Sequence, residues 1–386
     1  MLAAVIGGGL QGVEAAYLAR KAGWEVIVID RNSPVPAARL GQVFMQEDVT
    51  RGDDLFHMLP NVDIVIPALE NAAVLPALER RCREAGIPFA FDIDAYAVSS
   101  SKITSGRLFA RLGIPVPRPY PEASFPLVAK PAGGSGSRGV KIIHDPAQLA
   151  AAFPDPAAMN GWVIQEYVPG PSYSLEIVGF PGNYEAIQVT DLAMDAVYDC
   201  KRVTAPTDLN PGQADRFVDI SLQIARALSL KGIMDVEVIL HRDELKVLEI
   251  DARLPSQTPI AVYRSTGINM LELLAANFMD PGHEAKANKK RAGECRGVVL
   301  EHIKVANSRL EVCGERIMKS GGFLHIRPGF FGADEAITDY EAGKEQWVAT
   351  LITAAADKEK ALLKRDNVIE TLCEQLKLEK LYKQKF

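Results

Sequence analysis

The sequence predicts an α/β fold in its first quarter and an α+β fold in the remainder. Residues 1–98 alternate short apolar strands with helices, the pattern of a doubly wound parallel sheet. Residues 99–280 contain many strands with few helices between them, which favours antiparallel pairing. Residues 281–386 carry short strands, glycines and a long charged tail, which indicates a small α+β unit. We therefore expect three domains with boundaries near residues 98 and 280.

The composition is that of an ordinary globular protein. The 386 residues are 48% hydrophobic and 24% charged, with a formal net charge of −6. Nucleic-acid-binding surfaces are usually basic, so we expect no nucleic-acid partner. No apolar run approaches the roughly 20 residues that span a bilayer, and the first residues lack a basic leader. The five cysteines are scattered and form no C-x-x-C pair, so we expect a cytoplasmic protein without a membrane partner.

The first domain begins with the apolar strand "LAAVI", a glycine-rich turn and a helix that ends at Gly23. "WEVIVID" and "VDIVIPAL" are further strands, and "AAVLPALERRCREAG" is a helix closed by glycine. Gly7, Gly9 and Gly12 fit G-x-G-x-x-G, and Asp30 ends the next strand, as in dinucleotide-binding domains. Such a loop either contacts a nucleotide or substrate or serves packing alone, and the sequence leaves both interpretations open.

A strand lysine followed by a glycine-rich loop marks the middle domain. After "SSSKITSGRLFARL", a helix with serines at its start, "FPLVAK" is a strand that ends at Lys130. "PAGGSGSRGV" then leads into the strand "KIIH", so we expect the loop to be a β-hairpin flap. A Walker loop has the opposite order, because its lysine follows the glycines and precedes a helix. The flap amides are predicted to fold over phosphates while Lys130 supplies charge, and a flexible hairpin tip is the alternative.

Four carboxylates meet on the last hairpin of the middle domain. "GIMDVEVIL" and "LKVLEIDA" flank "HRDE" and are predicted to pair as antiparallel strands. Asp235 and Glu237 share one strand face, and Glu249 and Asp251 share a face of the partner strand. Such carboxylates repel each other unless cations intervene. Oxygen ligands without histidine or cysteine favour Mg²⁺ or Mn²⁺, usually together with substrate phosphates. A solvated edge with basic partners is the alternative.

The helix-start lysine, the flap and the carboxylate hairpin, in this order, resemble the ATP-grasp ligases. The resemblance implies an ATP-grasp fold after the doubly wound domain, ATP and Mg²⁺ as cofactors, and an acyl-phosphate intermediate. Its catalytic residues would be Lys130 and Arg253, and Arg253 would stabilise the developing oxyanion. The metal ligands would be Glu237, Glu249 and Asp251, although the last is commonly Asn in this family. Nucleotide contacts are implied for Lys102, Lys130, Ser137, Gln165, Glu166, Tyr167 and Val168.

Several longer segments of the sequence indicate one particular group of ATP-grasp ligases. "YDCKRVT", "LKGIMDVE", "EIDARLPSQTP" and "STGINMLELL" are similar to the ATP-grasp ligases of pyrrolysine biosynthesis, as are "GLQGVEAAYL" and "ENAAVL". That family uses ATP to join the carboxylate of 3-methyl-D-ornithine to the side-chain amine of L-lysine. The sequence departs from the family at Gly9, where a lysine is expected in "GGKLQG", and in a flap that is richer in glycine than in serine. The change at Gly9 removes a charge from the first loop.

The resemblance also implies where the two substrates bind. The ornithine-type substrate carries two ammonium groups, which require carboxylates that hold no metal. The N-terminal domain would supply the lysine pocket, and a helix N-terminal acid is the alternative role for Glu70. Asp199 in "YDC" is a candidate base or orienting group for the lysine amine. The candidate substrate-binding residues are Leu10, Gln11, Glu70, Ser174, Glu176, Asp235 and Ser256.

Three other functions fit parts of the sequence. Another amino-acid or carboxylate–amine ligase would share the ATP-binding half and differ in its substrate residues. An NAD(P)-dependent oxidoreductase led by residues 1–30 would leave Lys130, the flap and the four carboxylates unexplained. A nucleotide-sensing module without turnover is disfavoured by Arg253. The partners we expect are the two small-molecule substrates, with a homodimer as the candidate assembly.

Overall fold

The computed structural model describes residues 1–51, 61–134, 136–279 and 295–380. Its first part is built on a sheet of apolar strands. The elements are β1 (Leu2–Ile6), α1 (Leu10–Lys21), β2 (Glu25–Asp30), β3 (Val43–Gln46), β4 (Ile64–Pro67), α2 (Leu75–Glu84) and α3 (Ile93–Ser99). The strand order is β3-β2-β1-β4 and all neighbours are parallel. The α/β expectation for this part of the chain is confirmed.

A three-stranded antiparallel sheet follows. Its elements and the neighbouring helices are α4 (Lys102–Leu112), β5 (Leu127–Pro131), β6 (Lys141–Ile143), α5 (Pro146–Ala152) and β7 (Trp162–Glu166). Strand β5 lies between β6 and β7. Helix α4 begins where predicted, because the Ser101 hydroxyl accepts a hydrogen bond from the Thr104 amide. The chain between β5 and β6 is the predicted hairpin flap, of which residue 135 lies outside the described residues.

The next strands begin a longer sheet. Its elements here are β8 (Ser172–Phe180), β9 (Asn183–Met194), β10 (Cys200–Ala205), α6 (Pro211–Leu228), β11 (Gly232–His241), β12 (Glu244–Asp251), α7 (Thr258–Thr266) and α8 (Met270–Met279). From one edge the order is β12-β11-β8-β9-β10, all antiparallel. Strand alternation directs Val236 and Val238 of β11 into the core with Phe217 of α6. Asp235 and Glu237 therefore face the opposite side of the sheet.

The C-terminal strands continue this sheet. The elements are β13 (Gly297–Ala306), β14 (Arg309–Val312), a 3₁₀ helix (Glu315–Ser320), β15 (His325–Pro328), β16 (Glu335–Thr338), β17 (Trp347–Ala355), α9 (Lys358–Leu376) and β18 (Glu379–Lys380). Beyond β10 the order is β13-β17-β16-β15. Since β10 pairs with β13, one sheet crosses the expected boundary at residue 280, and the three-domain division stays a prediction. Within the described ranges, no helix combines the length and apolarity needed to cross a membrane.

Candidate active site

Two carboxylate pairs lie side by side on the β11–β12 hairpin. Strands β11 and β12 pair antiparallel, as the sequence predicts, and their register sets Glu237 opposite Glu249 and Asp235 opposite Asp251. The register shifts immediately after Glu237, so a bulge lies beside the Glu237–Glu249 pair. Bulges redirect side chains and are common next to active sites. Because like charges directly opposite each other destabilise a sheet, this face of the hairpin requires positive partners.

Two lysines approach these carboxylates. Lys102, the first residue of α4, places Nζ 2.9 Å from Glu249 Oε2 and donates to the Gly134 carbonyl of the flap at 2.9 Å. Burial acts to lower the pKa of Lys102, but the charge and hydrogen bond of Glu249, together with the charges of Asp251 and Glu237, raise it overall. Burial lowers the pKa of Lys130 at the end of β5, although Glu249 opposes this. Burial would also raise the pKa of Glu249, but both lysines hold it below its usual range.

Negative charge exceeds positive charge on this face of the hairpin. Burial and the charges of Glu249 and Asp251 raise the pKa of Glu237 to about 8. Burial raises the pKa of Asp251 to about 6, although Arg253 opposes it. Asp235 is 5% exposed, and its Oδ1 has no hydrogen-bond partner among the described residues. Buried carboxylates with raised pKa values favour a bound cation.

The donor set fits a divalent cation that also takes ligands from another molecule. Glu237, Glu249 and Asp251 supply only oxygen, which suits Mg²⁺ or Mn²⁺. Among the residues that the structure describes, no three carboxylate, histidine or cysteine side chains are arranged to hold a metal ion by themselves. Phosphate oxygens would complete such a site, as is usual for protein-bound Mg²⁺.

Arg253 extends the same charged face towards the N-terminal domain. Its Nη2 lies 2.9 Å from Asp251 Oδ2, and its Nε lies 2.9 Å from Oε1 of Glu70, which follows β4. Burial acts to lower the pKa of Arg253, but the Asp251 and Glu70 charges raise it overall. The guanidinium is only 9% exposed. Arg253 is therefore a permanent positive charge held between two carboxylates, with little of its side chain exposed.

A cavity of about 140 Å³ lies between the flap and the β11–β12 hairpin. Val128, Ile142 and Leu248 line it beside the charged groups. An apolar pocket with a few convergent charges is typical of a nucleotide or ligand site. The structure brings to this cavity all seven residues for which nucleotide contacts are implied, namely Lys102, Lys130, Ser137, Gln165, Glu166, Tyr167 and Val168.

The Glu166 carboxylate is already engaged by two basic residues. It accepts hydrogen bonds from the amide of Arg118 at 3.0 Å and from its Nε at 3.1 Å, and it pairs with Lys246. Burial would raise the pKa of Glu166, but Lys246 and Arg118 lower it. The backbone of residues 165–168 is therefore better suited than this carboxylate to contact a base.

The flap contacts the turn that precedes β10. Ser137 Oγ donates to the Tyr198 carbonyl at 2.7 Å. The next residue, Asp199, accepts from both Nε and the amide of Arg316 at 3.1 Å. Gly314 packs against the same carboxylate, since a Cβ there would lie 2.2 Å from Asp199 Oδ2. Asp199 is thus held in an ion pair, so of its two candidate roles the geometry favours orientation over proton transfer.

A larger cavity, of about 510 Å³, adjoins the smaller one. Glu237 and Glu249 line both, and Arg253 lines the larger. The two cavities therefore meet at the carboxylate hairpin. Six of the seven predicted substrate-binding residues line the larger cavity, namely Leu10, Gln11, Glu70, Ser174, Asp235 and Ser256.

Glu176 is the predicted substrate residue that lies behind this cavity wall. It is fully buried and accepts a hydrogen bond from Ser174 Oγ at 3.2 Å. Burial raises the pKa of Glu176 to about 7, although hydrogen bonds from Thr258 and Ser174 act against this. In this geometry Glu176 contacts Ser174, which lines the cavity, and does not line the cavity itself.

Several residues at or behind the wall of the larger cavity were not predicted. Ser256 Oγ donates to Glu315 Oε2 at 2.9 Å. Burial raises the pKa of Glu315 to about 7, although hydrogen bonds from Ser256 and Gln257 oppose it. Gln257 has φ of 73°, which is unusual for a residue with a side chain. Glu14 of α1 accepts from the Gln257 amide at 3.1 Å, and Nε2 of His302 lies 3.1 Å from Gln257 Oε1. Three parts of the chain therefore hold this turn in place.

The glycine-rich loop after β1 borders a separate cavity of about 270 Å³, which Gly7 and Asp30 line. Asp30 Oδ2 accepts from the Gly8 amide at 2.7 Å. Gly12 is required by packing, because a Cβ there would lie 2.1 Å from the Gly7 carbonyl. Gly9 has open space around it and lines the 510 Å³ cavity. Packing therefore accounts for Gly12, whereas ligand contact at Gly9 stays a prediction.

Comparison with known proteins agrees with this geometry. A model of the ATP-grasp domain matches residues 99–257. A solved structure of similar fold is the biotin carboxylase domain of the Hydrogenobacter thermophilus 2-oxoglutarate carboxylase, in complex with ADP, its magnesium salt and bicarbonate. It matches with a TM-score of 0.74 at 15% identity, covering 96% of this chain and 89% of that one. The fold and the paired cavities thus define an ATP-grasp protein, as the resemblance implies.

Two relatives, both described as 3-methyl-D-ornithine–L-lysine ligases, match almost the whole chain. The Methanosarcina mazei protein is 36% identical over 370 residues, which cover 95% of this chain and 94% of that protein. The Methanosarcina acetivorans protein is 36% identical over 360 residues, which cover 92% and 93%. This chain belongs to the family of 3-methyl-D-ornithine–L-lysine ligases. The predicted family is confirmed, and ligase chemistry replaces the oxidoreductase alternative.

Proposed function

We propose that the chain joins the carboxylate of 3-methyl-D-ornithine to the side-chain amine of L-lysine in pyrrolysine biosynthesis, converting ATP to ADP and phosphate. The observation that carries the proposal is the meeting of the two cavities at Glu237 and Glu249. A nucleotide in the smaller cavity would place its terminal phosphate near these carboxylates, with Arg253 facing the larger cavity. Relatives described as this ligase over nearly the whole chain support the assignment.

ATP is assigned to the smaller cavity. The backbone of residues 165–168 would face the adenine, since the Glu166 carboxylate is occupied by Arg118 and Lys246. Cationic side chains and flap amides would hold the phosphates, because charge-assisted hydrogen bonds to phosphate are strong. The side chains assigned to phosphate are Lys102, Lys130 and Ser137.

The divalent ion is assigned to Glu237, Glu249 and Asp251, together with phosphate oxygens. We propose magnesium, with manganese as the alternative. When bound, the ion supplies charge neutralisation at the transferring phosphoryl group. The excess negative charge of the hairpin, visible in the raised pKa values of Glu237 and Asp251, supports this assignment.

The reaction would proceed in two steps. A carboxylate oxygen of the ornithine-type substrate attacks the γ-phosphorus of ATP, the bond to ADP breaks, and an acyl phosphate forms. The lysine amine, which must first lose its proton since its free pKa is about 10.4, attacks the acyl carbon. The acyl–oxygen bond then breaks and phosphate leaves with the electron pair. Lys130 would neutralise phosphate charge, and the fixed charge of Arg253 would stabilise the tetrahedral oxyanion.

The two amino-acid substrates are assigned to opposite walls of the larger cavity. Asp235, and Ser174 with Glu176 behind it, would face the ammonium groups of the ornithine-type substrate. Ser256 would contact the reacting carboxylate. Leu10, Gln11 and Glu70 would form the N-terminal side of the lysine pocket. We also propose a cytoplasmic location, a homodimer as the candidate assembly, and a division into the domains 1–98, 99–280 and 281–386.

Mass spectrometry of the product made from 3-methyl-D-ornithine, L-lysine and Mg·ATP tests the proposal. We expect one amide on the lysine side chain for each ADP released. With hydroxylamine in place of lysine, the ornithine hydroxamate should form, which reports the acyl phosphate directly. Faster ADP release with a different acid and amine would reject the substrates but not the ligase chemistry. No ADP release with any carboxylate and amine would reject the ligase chemistry itself.

A further inference from the structure

The C-terminal strands supply a wall of the 510 Å³ cavity that the substrate assignments leave unused. Glu315, Arg316 and Lys319 line the cavity, and all three lie in the 3₁₀ helix that follows β14. The start of this helix is fixed to the turn before β10. The Gly314 amide donates to Asp195 Oδ2 at 3.2 Å, and Arg316 pairs with Asp199. This wall is therefore held in place by the same turn that contacts the flap.

The charged groups of this helix are not equally available to a ligand. Arg316 is committed to Asp199. Glu315 accepts hydrogen bonds from neutral side chains and has no salt-bridge partner within the described part of the chain. Lys319 is exposed and likewise forms no salt bridge with any described residue. One acid and one base, four residues apart, thus remain available to a ligand in the cavity.

On the N-terminal wall of the cavity, by contrast, the acid already has a positively charged partner. Its acid, Glu70, lies 2.9 Å from the Nε of Arg253 and accepts from Gln11 Nε2 at 2.8 Å. A substrate ammonium group bound at Glu70 would therefore compete with the Arg253 guanidinium. Glu315 forms no salt bridge with any described residue, and the positive charge that acts on it is that of Lys319 in the same helix. It is therefore the better carboxylate for a substrate ammonium group.

An α-amino acid carries an ammonium and a carboxylate group on one carbon, so a site that selects it needs an acid and a base close together. We propose that Glu315 binds the α-ammonium group and Lys319 the α-carboxylate of the amine substrate, L-lysine. The lysine side chain would then extend towards Asp235 and Arg253, where the acyl phosphate forms. The inference rests on the proposed function and deepens it, since it names the groups that select an α-amino acid as acceptor.

Steady-state kinetics with three acceptors test this assignment. They are L-lysine, 6-aminohexanoic acid, which lacks the α-ammonium group, and cadaverine, which lacks the α-carboxylate. For the unchanged enzyme, kcat/KM should be roughly 10- to 100-fold lower with each analogue than with L-lysine. Glu315→Gln should lower kcat/KM for L-lysine by a similar factor and leave the value for 6-aminohexanoic acid unchanged. Lys319→Ala should lower the value for L-lysine and leave that for cadaverine unchanged.

Hydroxamate formation from 3-methyl-D-ornithine, measured without lysine, separates this inference from the proposed function. Both variants should form hydroxamate at the unchanged enzyme's rate, because Lys319 does not contact the ornithine-type substrate in this assignment, and the amide oxygen of glutamine at 315 can still accept the hydrogen bond from Ser256. Glu345→Gln and Lys304→Ala, at exposed positions away from the cavity, are matched controls and should behave as the unchanged enzyme throughout.

Three outcomes would overturn the inference. Unaltered lysine kinetics in both variants would show that the helix does not contact the acceptor. Equal losses with lysine and with the matching analogue would show a general effect on the site. Loss of hydroxamate formation in Glu315→Gln would assign Glu315 to the ornithine-type substrate instead. Absence of hydroxamate with the unchanged enzyme would overturn the proposed function, a result distinct from all three.

Discussion

The Nε atom of Arg253 lies 2.9 Å from Oε1 of Glu70. This ion pair joins the end of the carboxylate hairpin to the N-terminal domain. Gln11 donates to the same oxygen at 2.8 Å, so the first turn of α1 also takes part. Asp251 holds the guanidinium from the other side. Because preoriented charge is what stabilises a developing oxyanion, the N-terminal domain helps to orient the arginine to which the proposed mechanism gives this role.

Glu70→Gln should lower kcat about tenfold, because Arg253 loses one of the two charges that orient it. The melting temperature should stay near that of the unchanged protein, since Asp251 remains paired with Arg253. Steady-state kinetics and thermal melts check both parts. Glu84→Gln, an exposed change on α2, is the matched control. An unchanged kcat would mean that Asp251 alone orients the arginine.

Glu249→Gln should abolish ATP turnover, whereas Asp251→Asn should retain it within about tenfold. Glu249 is the carboxylate that Lys102 and Lys130 keep ionised, and an amide there removes the charge that binds a cation. Asparagine at 251 keeps an oxygen that serves as a ligand or as an acceptor for Arg253. ADP release across a magnesium titration separates the two variants. Turnover retained by Glu249→Gln would contradict the metal assignment.

Lys130→Met should raise KM for ATP without lowering the melting temperature. The lowered pKa of Lys130 reflects burial of its charge, and an apolar side chain of similar length avoids that cost. Loss of the phosphate contact should reduce kcat/KM for ATP roughly 10- to 100-fold. Lys102→Met should instead lower the melting temperature, because Glu249 loses its close partner. Lys304→Met is the control, and an unaltered KM for ATP in Lys130→Met would remove Lys130 from the nucleotide site.

The ligand-free protein should become less stable as pH rises through neutrality, in part because of Glu176. Its pKa is raised from 4.5 to about 7 by burial, so the folded state holds a proton that the unfolded state releases. This contribution to stability is complete below about pH 4.5 and is lost as pH rises through about 7. Thermal melts at about pH 5.5 and about pH 7.5 measure the slope, which Glu176→Gln should reduce. Exposed Glu185→Gln should not change it, and an equal slope in Glu176→Gln would show that Glu176 is already ionised when folded.

The charged hairpin and the flap could be predicted because their signals are local. The alternation in "DVEVIL" and "LEIDA" is enough to place Glu237 and Glu249 on one face of neighbouring strands, and the two residues do pair. The lysine at the end of "FPLVAK" and the glycines after it likewise indicate the flap. Strand periodicity does not indicate how deeply a side chain is buried, however. Glu176 shares a face with Ser174, as predicted, yet it lies behind the cavity wall.

Glu315 and Glu14 could not be predicted, because only tertiary packing brings them to the site. Glu315 stands in "CGERIM", which has no periodicity or motif, and it meets Ser256 in a part of the fold where β13 pairs with β10. Glu14 is 3% exposed in the middle of the apolar run "GVEAAYLA". A lone acid among buried helix residues is uncommon unless it has a partner. The position of Glu14 in an apolar run is therefore the one sequence feature that indicates a partner for it.

The pairing of β10 with β13 has a consequence for how the chain can be divided. A fragment ending at residue 279 would keep the flap, the nucleotide cavity and the carboxylate hairpin. It would also leave β10 with a bare row of amides and carbonyls along one side, where β13 now lies. Exposed sheet edges of this kind pair with other chains, so such a fragment would tend to aggregate before it could bind a nucleotide. The C-terminal strands thus protect the solubility of the half of the protein that binds ATP.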